Sequence, residues 1–372
     1  MNKQKRVLVL SNMYPGAKSS TFGIFVKNQV QALREHGAKV DVVAVSDPDM
    51  NKPNVLKKYL KWAAETMFSF LFKGRRYDVV HAHYVFPTGM LALLFKKWFK
   101  TRMVVTAHGG DINRMAKKSE RIKQWTAKIL EEADHVITVG HDLYREIHEK
   151  YHIPEEKLSV INMGVNLEVF QPHEVSEARQ VLGIKVGERP IVFVGNIIRE
   201  KGILDLLEAY KILKKEQENL SLYLIGNPKL ESFKLEVEEY IRQHQLTDVH
   251  LSPAVPQAEV AIWMSAADVF VLPSHMEGFG LVAVEAMACG TPVVGARVGG
   301  LQTLLENDHG VLVEAEDPNS LARGIRKVIE NEDYRKQLIK AGRKRALEND
   351  QELLIEKVFE IYENKVIEDE KK

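Results

Sequence analysis

The stretch PSHMEGFGLVAVEAMACGTPVV, residues 273–294, decides the fold of the second half of this chain. A polar loop with two glycines leads into an alanine-rich apolar run, which predicts a short buried helix. Gly290 ends that helix, and Pro292 prevents its continuation into the next apolar pair. Because an apolar strand, 268–272, precedes the loop, the stretch predicts a unit of strand, glycine loop, helix and strand.

The chemistry of this unit follows from its geometry. A glycine loop at a helix start presents free backbone N–H groups and the positive end of the helix dipole, which suits a phosphate. Glu277 and Glu285 flank the helix start, eight residues apart, and a carboxylate can accept two hydrogen bonds from a vicinal diol. Phosphate at the amides and hydroxyls at the acids indicate a sugar nucleotide. From the residues alone, a buried unit with two solvated acids is the alternative.

The stretch resembles the E-x7-E signature of retaining glycosyltransferases of family 4, the glycosyl transferases group 1, which share the GT-B fold. The matching positions are Glu277, Gly278, Phe279, Gly280, Glu285, Ala286, Gly290 and Pro292. The resemblance extends across nearly the whole chain. It implies an α/β, GT-B architecture of two doubly wound Rossmann-like domains facing across a cleft.

The same resemblance implies roles for the residues of the motif. In that family the second glutamate holds ribose hydroxyls, which gives that role to Glu285 here. The loop with the first glutamate holds the donor sugar, which implies that Glu277 acts there with the backbone amides of Phe279, Gly280 and Leu281.

Composition agrees with a globular protein of two domains. The chain has 372 residues, 45% hydrophobic and 28% charged, enough for two cores. Its net charge of +1 gives no global attraction to nucleic acid, so none is expected as a partner. The single cysteine, Cys289, excludes an internal disulfide and is expected in the core, which favours a cytoplasmic location. No signal peptide or membrane-spanning run is expected.

The chain alternates strands and helices, which predicts a doubly wound parallel sheet with ligands at the carboxyl ends of its strands. Around 162–176 the pattern loses its period and gains turn residues. We predict an acceptor-side domain at 1–168 and a nucleotide-sugar domain at 169–348. The segment 349–372 is predicted to contain a helix that crosses back to the first domain, as in GT-B proteins.

Two candidate site residues lie in the first half. Gly23 stands where the family has the second glycine of a paired-glycine loop near the donor diphosphate, although its partner position is Phe22; a flexible turn is the alternative. His108 ends a strand, where the family places a histidine near the donor sugar and the acceptor. Zinc at His81, His83 and His108 is disfavoured because their spacing fits no standard zinc pattern. No metal or cofactor is expected.

The loop 195–202 resembles the family's diphosphate-binding sequence. Lys201 occupies the lysine position, and a lysine at a helix N-terminus is unfavourable for the dipole unless an anion lies between them. Asn196 replaces the usual arginine, and Arg199 could supply the missing guanidinium. In relatives the base is held by backbone near Val255, which makes that residue a further binding candidate.

Two basic, aromatic stretches interrupt the first half. Lys52–Arg76 carries seven Lys/Arg against the single Glu65, and Phe95–Arg102 adds four cations and no acid. Such helices can lie at an anionic membrane surface, or they can bury their aromatic rings in the domain. The resemblance favours the membrane, since many relatives glycosylate lipid-linked acceptors.

The sequence therefore predicts an enzyme, a retaining hexosyltransferase. It would move a sugar from a nucleotide-sugar, with UDP-sugar favoured, to a glycan or lipid-linked acceptor. Surface polysaccharide assembly in the cell envelope is the expected setting, in the cytoplasm at the inner face of the membrane, by analogy with teichuronic-acid and exopolysaccharide transferases. The alternatives are a UDP-sugar epimerase or a sucrose-phosphate-type synthase of the same fold, and a non-catalytic nucleotide-sugar-binding scaffold.

Overall fold

A computed structural model describes residues 4–49 and 51–364 of the chain. These residues form two compact units. The first holds the described residues up to Met163 together with those from Gln351 onward, and the second is Gly164–Asp350. Each unit contains one six-stranded sheet in which all neighbouring strands are parallel.

The first unit alternates strands with helices along the chain. In order, these elements are β1 Arg6–Ser11, α1 Ile24–Glu35, β2 Lys39–Ala44, α2 Lys52–Lys73, β3 Val79–His83, α3 Thr88–Phe99, β4 Arg102–Ala107, α4 Glu120–Glu132, β5 His135–Thr138, α5 His141–Tyr151 and β6 Leu158–Val160. A π-helical turn, Asp111–Met115, follows β4. The strand cores are fully buried, because a parallel sheet is covered by helices on both faces.

The strand order of this sheet is β2-β1-β3-β4-β5-β6. The order reverses between β1 and β3, so the loops that follow these two strands leave the sheet in opposite directions. Ligands of doubly wound sheets bind in the crevice at such a point, outside the carboxyl ends of the strands. The loops after β1, β3 and β4 are therefore the ones expected to line a ligand site in this unit.

The second unit repeats this plan after an initial helix. Its elements are α6 Val175–Leu182, β7 Arg189–Val194, α7 Ile203–Lys214, β8 Leu220–Ile225, α8 Glu231–Gln243, β9 Val249–Ser252, α9 Gln257–Ala266, β10 Val269–Leu272, α10 Leu281–Ala288, β11 Val293–Ala296, α11 Gly299–Leu305, β12 Val311–Val313, α12 Pro318–Glu330 and α13 Glu332–Glu348. The predicted unit of strand, glycine loop, helix and strand is confirmed as β10, α10 and β11. Cys289 is buried in its core, as predicted.

The strand order of the second sheet is β12-β11-β10-β7-β8-β9. Here the reversal falls between β7 and β10, which pair in parallel at Val269 and Ile191. The loop after β7 and the loop after β10 are the two stretches in which the sequence predicts most of the site. Sheet topology therefore brings both loops to one place in this unit.

The last described helix, α14 Gln351–Glu363, belongs to the first unit. It packs against α1, and the Gln351 side chain donates a hydrogen bond to the carbonyl of Asn28 at 2.8 Å. Near its end the Tyr362 hydroxyl is hydrogen-bonded to Nδ1 of His81 at 2.6 Å, with both side chains buried. The predicted segment 349–372 runs past residue 364, the last one described.

We predict that Tyr362→Phe destabilises the first unit by about 1–3 kcal/mol, because Nδ1 of buried His81 loses its hydrogen-bond partner. Urea titration followed by tryptophan fluorescence measures the change. Tyr59→Phe, which alters a partly exposed tyrosine of α2, serves as the matched control. Equal midpoints for the two variants would contradict the prediction.

Candidate functional site

Two loops meet at the carboxyl edge of the second sheet because a glycine lets their backbones touch. Gly202 has a φ of 67°, and a Cβ added there would lie 2.0 Å from the carbonyl oxygen of Pro273. Only glycine fits both that backbone conformation and that distance. The amide of His275 also donates to the carbonyl of Glu200 at 2.9 Å. The loops after β7 and β10 are therefore joined backbone to backbone.

A third loop closes on the same segment. A Cβ on Gly299 would lie 2.1 Å from the carbonyl oxygen of Glu277, and one on Gly300 would lie 2.3 Å from that of Gly278. These two glycines begin α11, directly after β11. The chain around Glu277 is thus held between neighbours on both sides, which fixes the glutamate backbone.

Lys201 and Glu277 form an ion pair at this junction. The lysine Nζ lies 2.5 Å from Oε2 of Glu277, and both side chains are largely buried. The Ser274 hydroxyl donates to the same carboxylate oxygen at 3.2 Å. Gly280 caps the start of α10 with a φ of 91°, and the first N–H groups of a helix lack partners within it. A cation, a carboxylate and free amides thus share one small region, suited to an anion with adjacent hydroxyls.

Glu285 lies one turn into α10, on the same face of the helix as Leu281, which precedes it by four residues. Desolvation raises the pKa of its carboxyl group to about 8, and a hydrogen bond with the Gln257 side chain acts in the opposite direction. Gln257 begins α9, two residues after Val255, which is partly buried against the core. The structure therefore brings the loop of Val255 next to Glu285.

The remaining residues of the β7 loop point elsewhere. The guanidinium of Arg199 pairs with Glu236 of α8 and stands over the Phe233 ring at 5.2 Å. Asn196 is exposed, and its backbone carbonyl accepts a hydrogen bond from Ile198 at 3.0 Å. Lys201 and Glu277 are thus brought together, whereas Arg199 is engaged with α8. A diphosphate role for Arg199 stays a prediction and would require it to leave Glu236.

Gly23 and His108 lie in the first unit, at the carboxyl edge of its sheet. A Cβ on Gly23, whose φ is 69°, would lie 2.5 Å from the carbonyl carbon of Met13, so glycine is needed for this approach. The Tyr84 hydroxyl donates to the sulfur of Met13 at 3.1 Å. The Tyr84 ring lies 4.6 Å from the ring of His108, and the Phe25 ring lies 5.1 Å from it. Phe25 of α1 and Tyr84 of the loop after β3 thus lie against His108, and Tyr84 links it to Met13 of the loop after β1.

The strand-end histidines of this unit are neutral. Burial lowers the pKa of His83 to about 3 and holds those of His81 and His108 well below their usual value. Nδ1 of His83 lies 3.2 Å from Nε2 of His108, so one nitrogen donates and the other accepts. His81 bonds Tyr362 and Thr106 through its two nitrogens and is structural. Among the described residues, no group of three or more His, Cys, Asp or Glu is arranged to hold a metal.

Sequence reasoning missed four polar residues of the site in the second unit. His275 Nε2 lies 2.6 Å from a carboxylate oxygen of Asp205 in the first turn of α7. Ser274 and Gln257 contact the two glutamates as described above. An acid in the first turn of a helix is common, so only proximity in the fold distinguishes Asp205.

Two family profiles match the chain. The profile described as glycosyl transferases group 1 matches residues 174–345, and the profile described as glycosyltransferase family 4 matches residues 23–169. The first match covers the described loops of the second unit. The second covers Gly23 and His108.

Three curated relatives are similar to the chain. A D-inositol 3-phosphate glycosyltransferase of Thermobispora bispora is 34% identical over 71% of this chain and 65% of its own length. A glycosyltransferase of Methanocaldococcus jannaschii is 30% identical over 77% and 75%. The putative teichuronic acid biosynthesis glycosyltransferase TuaC of Bacillus subtilis is 27% identical over 86% and 88%. The chain thus spans about two thirds of the first relative's length.

Two solved structures share the fold. The sucrose-phosphate synthase of Thermosynechococcus elongatus superposes with a TM-score of 0.80 at 24% identity, covering 97% of this chain and 99% of that one. HepE of Anabaena, in complex with UDP and glucose, gives a TM-score of 0.78 at 19% identity, covering 97% and 100%. At these identities the likeness concerns the fold alone.

Two parallel six-stranded sheets with interleaved helices, matched over nearly the whole chain by these structures, define a GT-B fold, and the α/β, GT-B prediction is confirmed. The chain belongs to the family 4 glycosyltransferases, the glycosyl transferases group 1.

We predict that Gly202→Ala destabilises the second unit more than Gly183→Ala by about 2 kcal/mol or more. Both glycines have φ near 70°, but a Cβ on Gly183 meets nothing within 4 Å. Both variants carry the left-handed cost of about 1–2 kcal/mol, so the difference isolates the clash with the Pro273 carbonyl. Urea titration compares them, and equal losses would contradict the close approach.

We predict that Glu285→Gln stabilises the protein increasingly as pH rises. In the folded protein Glu285 keeps its proton up to about pH 8, against a usual pKa of 4.5. As pH rises, the Glu285 carboxyl group therefore loses its proton in the unfolded chain before it does so in the folded protein. The free energy of unfolding of the wild type falls between pH 4.5 and about pH 8 for this reason. Because glutamine cannot ionise, the variant should gain on the order of 2–4 kcal/mol over the wild type across that window.

Urea titrations below, within and above this pH window measure the difference, which should level off above about pH 8. Glu259→Gln, an exposed position on α9, controls for the loss of one formal charge. A stability difference between Glu285→Gln and wild type that does not vary with pH would contradict a buried, protonated Glu285.

Proposed function

We propose that the chain is a retaining glycosyltransferase that moves a sugar from a nucleotide-sugar to a glycan or a lipid-linked acceptor. The second unit would bind the donor, and the first would bind the acceptor. A UDP-sugar is the favoured donor, and assembly of a surface polysaccharide is the favoured setting. The nucleotide-sugar is a substrate, and no metal or other cofactor is part of the proposal.

The ion pair between Lys201 and Glu277 at the start of α10 carries this proposal. A diphosphate at the helix start would attract the Lys201 ammonium away from Glu277, because it offers a higher negative charge. The released carboxylate could then accept hydrogen bonds from hydroxyls of the donor sugar, next to the amides of Phe279, Gly280 and Leu281. Glu285 would hold the ribose hydroxyls.

The proposed reaction breaks the bond between the sugar anomeric carbon and the diphosphate oxygen. The acceptor oxygen forms its bond to the same face of that carbon, and the acceptor proton passes to the departing diphosphate. Lys201 and the amides of the α10 loop stabilise the charge that develops on the leaving group. Glu277 orients the sugar and is not assigned as a nucleophile. His108, neutral and surrounded by the loops of the first unit, serves the acceptor side.

The relatives support the substrate class by their names. TuaC is named for teichuronic acid biosynthesis, and the Thermobispora relative for a glycosyl transfer to D-inositol 3-phosphate. The Anabaena structure holds UDP and glucose. The names of the first two relatives favour a hydroxyl-bearing acceptor, and the UDP-linked donor stays a prediction. The cytoplasmic location at the inner membrane face stays a prediction.

Three alternatives differ from the proposal in what the protein would do with the nucleotide-sugar. An epimerase would convert one UDP-sugar into another with no acceptor, and a sucrose-phosphate-type synthase would use a soluble sugar phosphate. A non-catalytic scaffold would bind the nucleotide-sugar without consuming it. Product analysis with labelled donor separates all of these, and the anomeric configuration of the product, read by proton NMR, separates retention from inversion.

We predict that one of UDP, GDP and ADP raises the melting temperature of the wild type, since a ligand at a hundred times its dissociation constant adds about 2.7 kcal/mol. Lys201→Ala should lower the affinity for that nucleotide by roughly 10- to 100-fold, because a hydrogen bond to a charged group is worth about 1.5–3 kcal/mol.

Lys211→Ala is the matched control. Lys211 lies in the same unit, is similarly buried and pairs with Glu208 at 2.6 Å, but sits within α7 away from the loop junction. It should keep the wild-type affinity. No thermal shift with any nucleotide, or equal weakening by both substitutions, would refute the donor site.

A further inference from the structure

Helix α2 presents one side to the first unit. The buried Trp62 indole N–H donates to the carbonyl of Val43 at 3.1 Å, and the Thr66 hydroxyl donates to the carbonyl of Trp62. Farther along, the Phe70 ring contacts the Phe95 ring of α3, with centroids 5.4 Å apart. These contacts fix the rotation of α2, so that its opposite side faces solvent.

That opposite side is apolar, and we call it the α2 face. Its large side chains and their exposed fractions are Leu56 63%, Leu60 62%, Met67 42%, Phe68 57%, Leu71 67% and Phe72 66%. Leu56, Leu60, Met67 and Leu71 are separated by four, seven and four residues, which places them along one stripe of a helix about 33 Å long. Phe68 and Phe72, which follow Met67 and Leu71 directly, widen this stripe on one side. An apolar surface of this extent marks an interaction site.

The α2 face continues onto α3 through Trp98. This side chain is 77% exposed, and its ring centroid lies 6.2 Å from that of Phe70. Tryptophan is enriched where an apolar region meets water. The sequence left two interpretations of these stretches, aromatic rings at a membrane surface or aromatic rings buried in the domain. The structure divides the rings between the two environments, because Trp62 is buried whereas Phe68, Phe72 and Trp98 are exposed.

Cations lie around the α2 face. Among the described side chains of these two stretches, the exposed cations are Lys57, Lys61, Arg75, Arg76, Lys97 and Lys100. Glu65 is the single acid of Lys52–Arg76, and it lies 3.7 Å from Lys61. The whole chain has a net charge of only +1. Exposed positive charge is therefore concentrated on the same two stretches that carry the apolar surface.

We propose that the α2 face, with Trp98, docks onto the surface of an anionic lipid bilayer. Leucine and phenylalanine side chains would enter the boundary between headgroups and acyl chains while α2 lies parallel to the membrane. The surrounding lysines and arginines would reach the lipid phosphates with their long side chains. No described helix is long and apolar enough to cross a membrane.

Charge favours this occupant over a second copy of the chain. Two copies joined through the α2 face would bring the exposed cations of α2 and its neighbourhood together, which is repulsive. An anionic bilayer supplies opposite charge and an apolar layer in one surface. The inference does not depend on the donor site proposed above, because every residue that carries it lies in the first unit.

Flotation of the full chain with vesicles tests the inference. The wild type should bind vesicles of phosphatidylcholine with phosphatidylglycerol and should not bind phosphatidylcholine alone. Leu71→Gln combined with Phe72→Gln should lower the partition coefficient at least about tenfold, because two apolar side chains no longer enter the bilayer. Val181→Gln with Val186→Gln, which alters two exposed apolar residues of the second unit, should leave binding unchanged.

A charge variant tests the contribution of the exposed cations to vesicle binding. Arg75→Gln with Arg76→Gln should weaken binding to the anionic vesicles by roughly 25-fold, since each cation near such a surface contributes about fivefold. High salt should weaken the wild type in the same direction.

Three results would overturn the inference: no binding of the wild type to anionic vesicles, unchanged binding of the Leu71/Phe72 variant, or self-association without vesicles that this variant abolishes. The last would assign the face to a second copy. Circular dichroism and the nucleotide thermal shift verify that each variant is folded. A wild type that binds vesicles but no nucleotide would refute the proposed function and leave this inference intact.

Discussion

The site of the second unit depends on backbone contacts that only glycine allows. Gly202 brings the loop after β7 against the carbonyl of Pro273, and Gly299 and Gly300 bring the chain after β11 against Glu277. A side chain at any of these positions would push the loops apart. Because the strand order reverses between β7 and β10, this junction lies where a doubly wound sheet has room for a ligand.

The two glutamates of this site lie in different electrostatic environments. Glu277 has a cation within hydrogen-bonding distance and the Ser274 hydroxyl beside it. Glu285 is desolvated near Gln257, and its pKa is raised to about 8. The Glu277 carboxylate thus has a cationic partner, whereas burial favours the protonated form of Glu285. Their eight-residue spacing spans a loop and one helical turn, which separates the environments.

The first unit buries polar histidines in its sheet and exposes apolar side chains on α2. Its sheet buries neutral histidines, of which His81 bonds the C-terminal helix through Tyr362 and His83 contacts His108. Its helix α2 exposes leucines and phenylalanines to solvent. The buried histidines are held by hydrogen bonds and remain neutral because charging them would cost desolvation. The exposed apolar side chains of α2 leave most of their surface in contact with solvent, which makes this helix the surface proposed to bind a partner.

The sequence by itself determined the alternation of strands and helices and the loops that carry Glu277, Glu285 and Lys201, because apolar periodicity and glycine punctuation are local properties of the chain. The architecture of two sheets was implied by the family resemblance of those loops. Contacts between segments distant in sequence were decided only by the tertiary structure. These include the Lys201–Glu277 pair, the contact of Gln257 with Glu285, and the commitment of Arg199 to Glu236. Which aromatic rings of α2 face solvent depended likewise on its rotation, and that is set by packing against β2 and α3 rather than by composition.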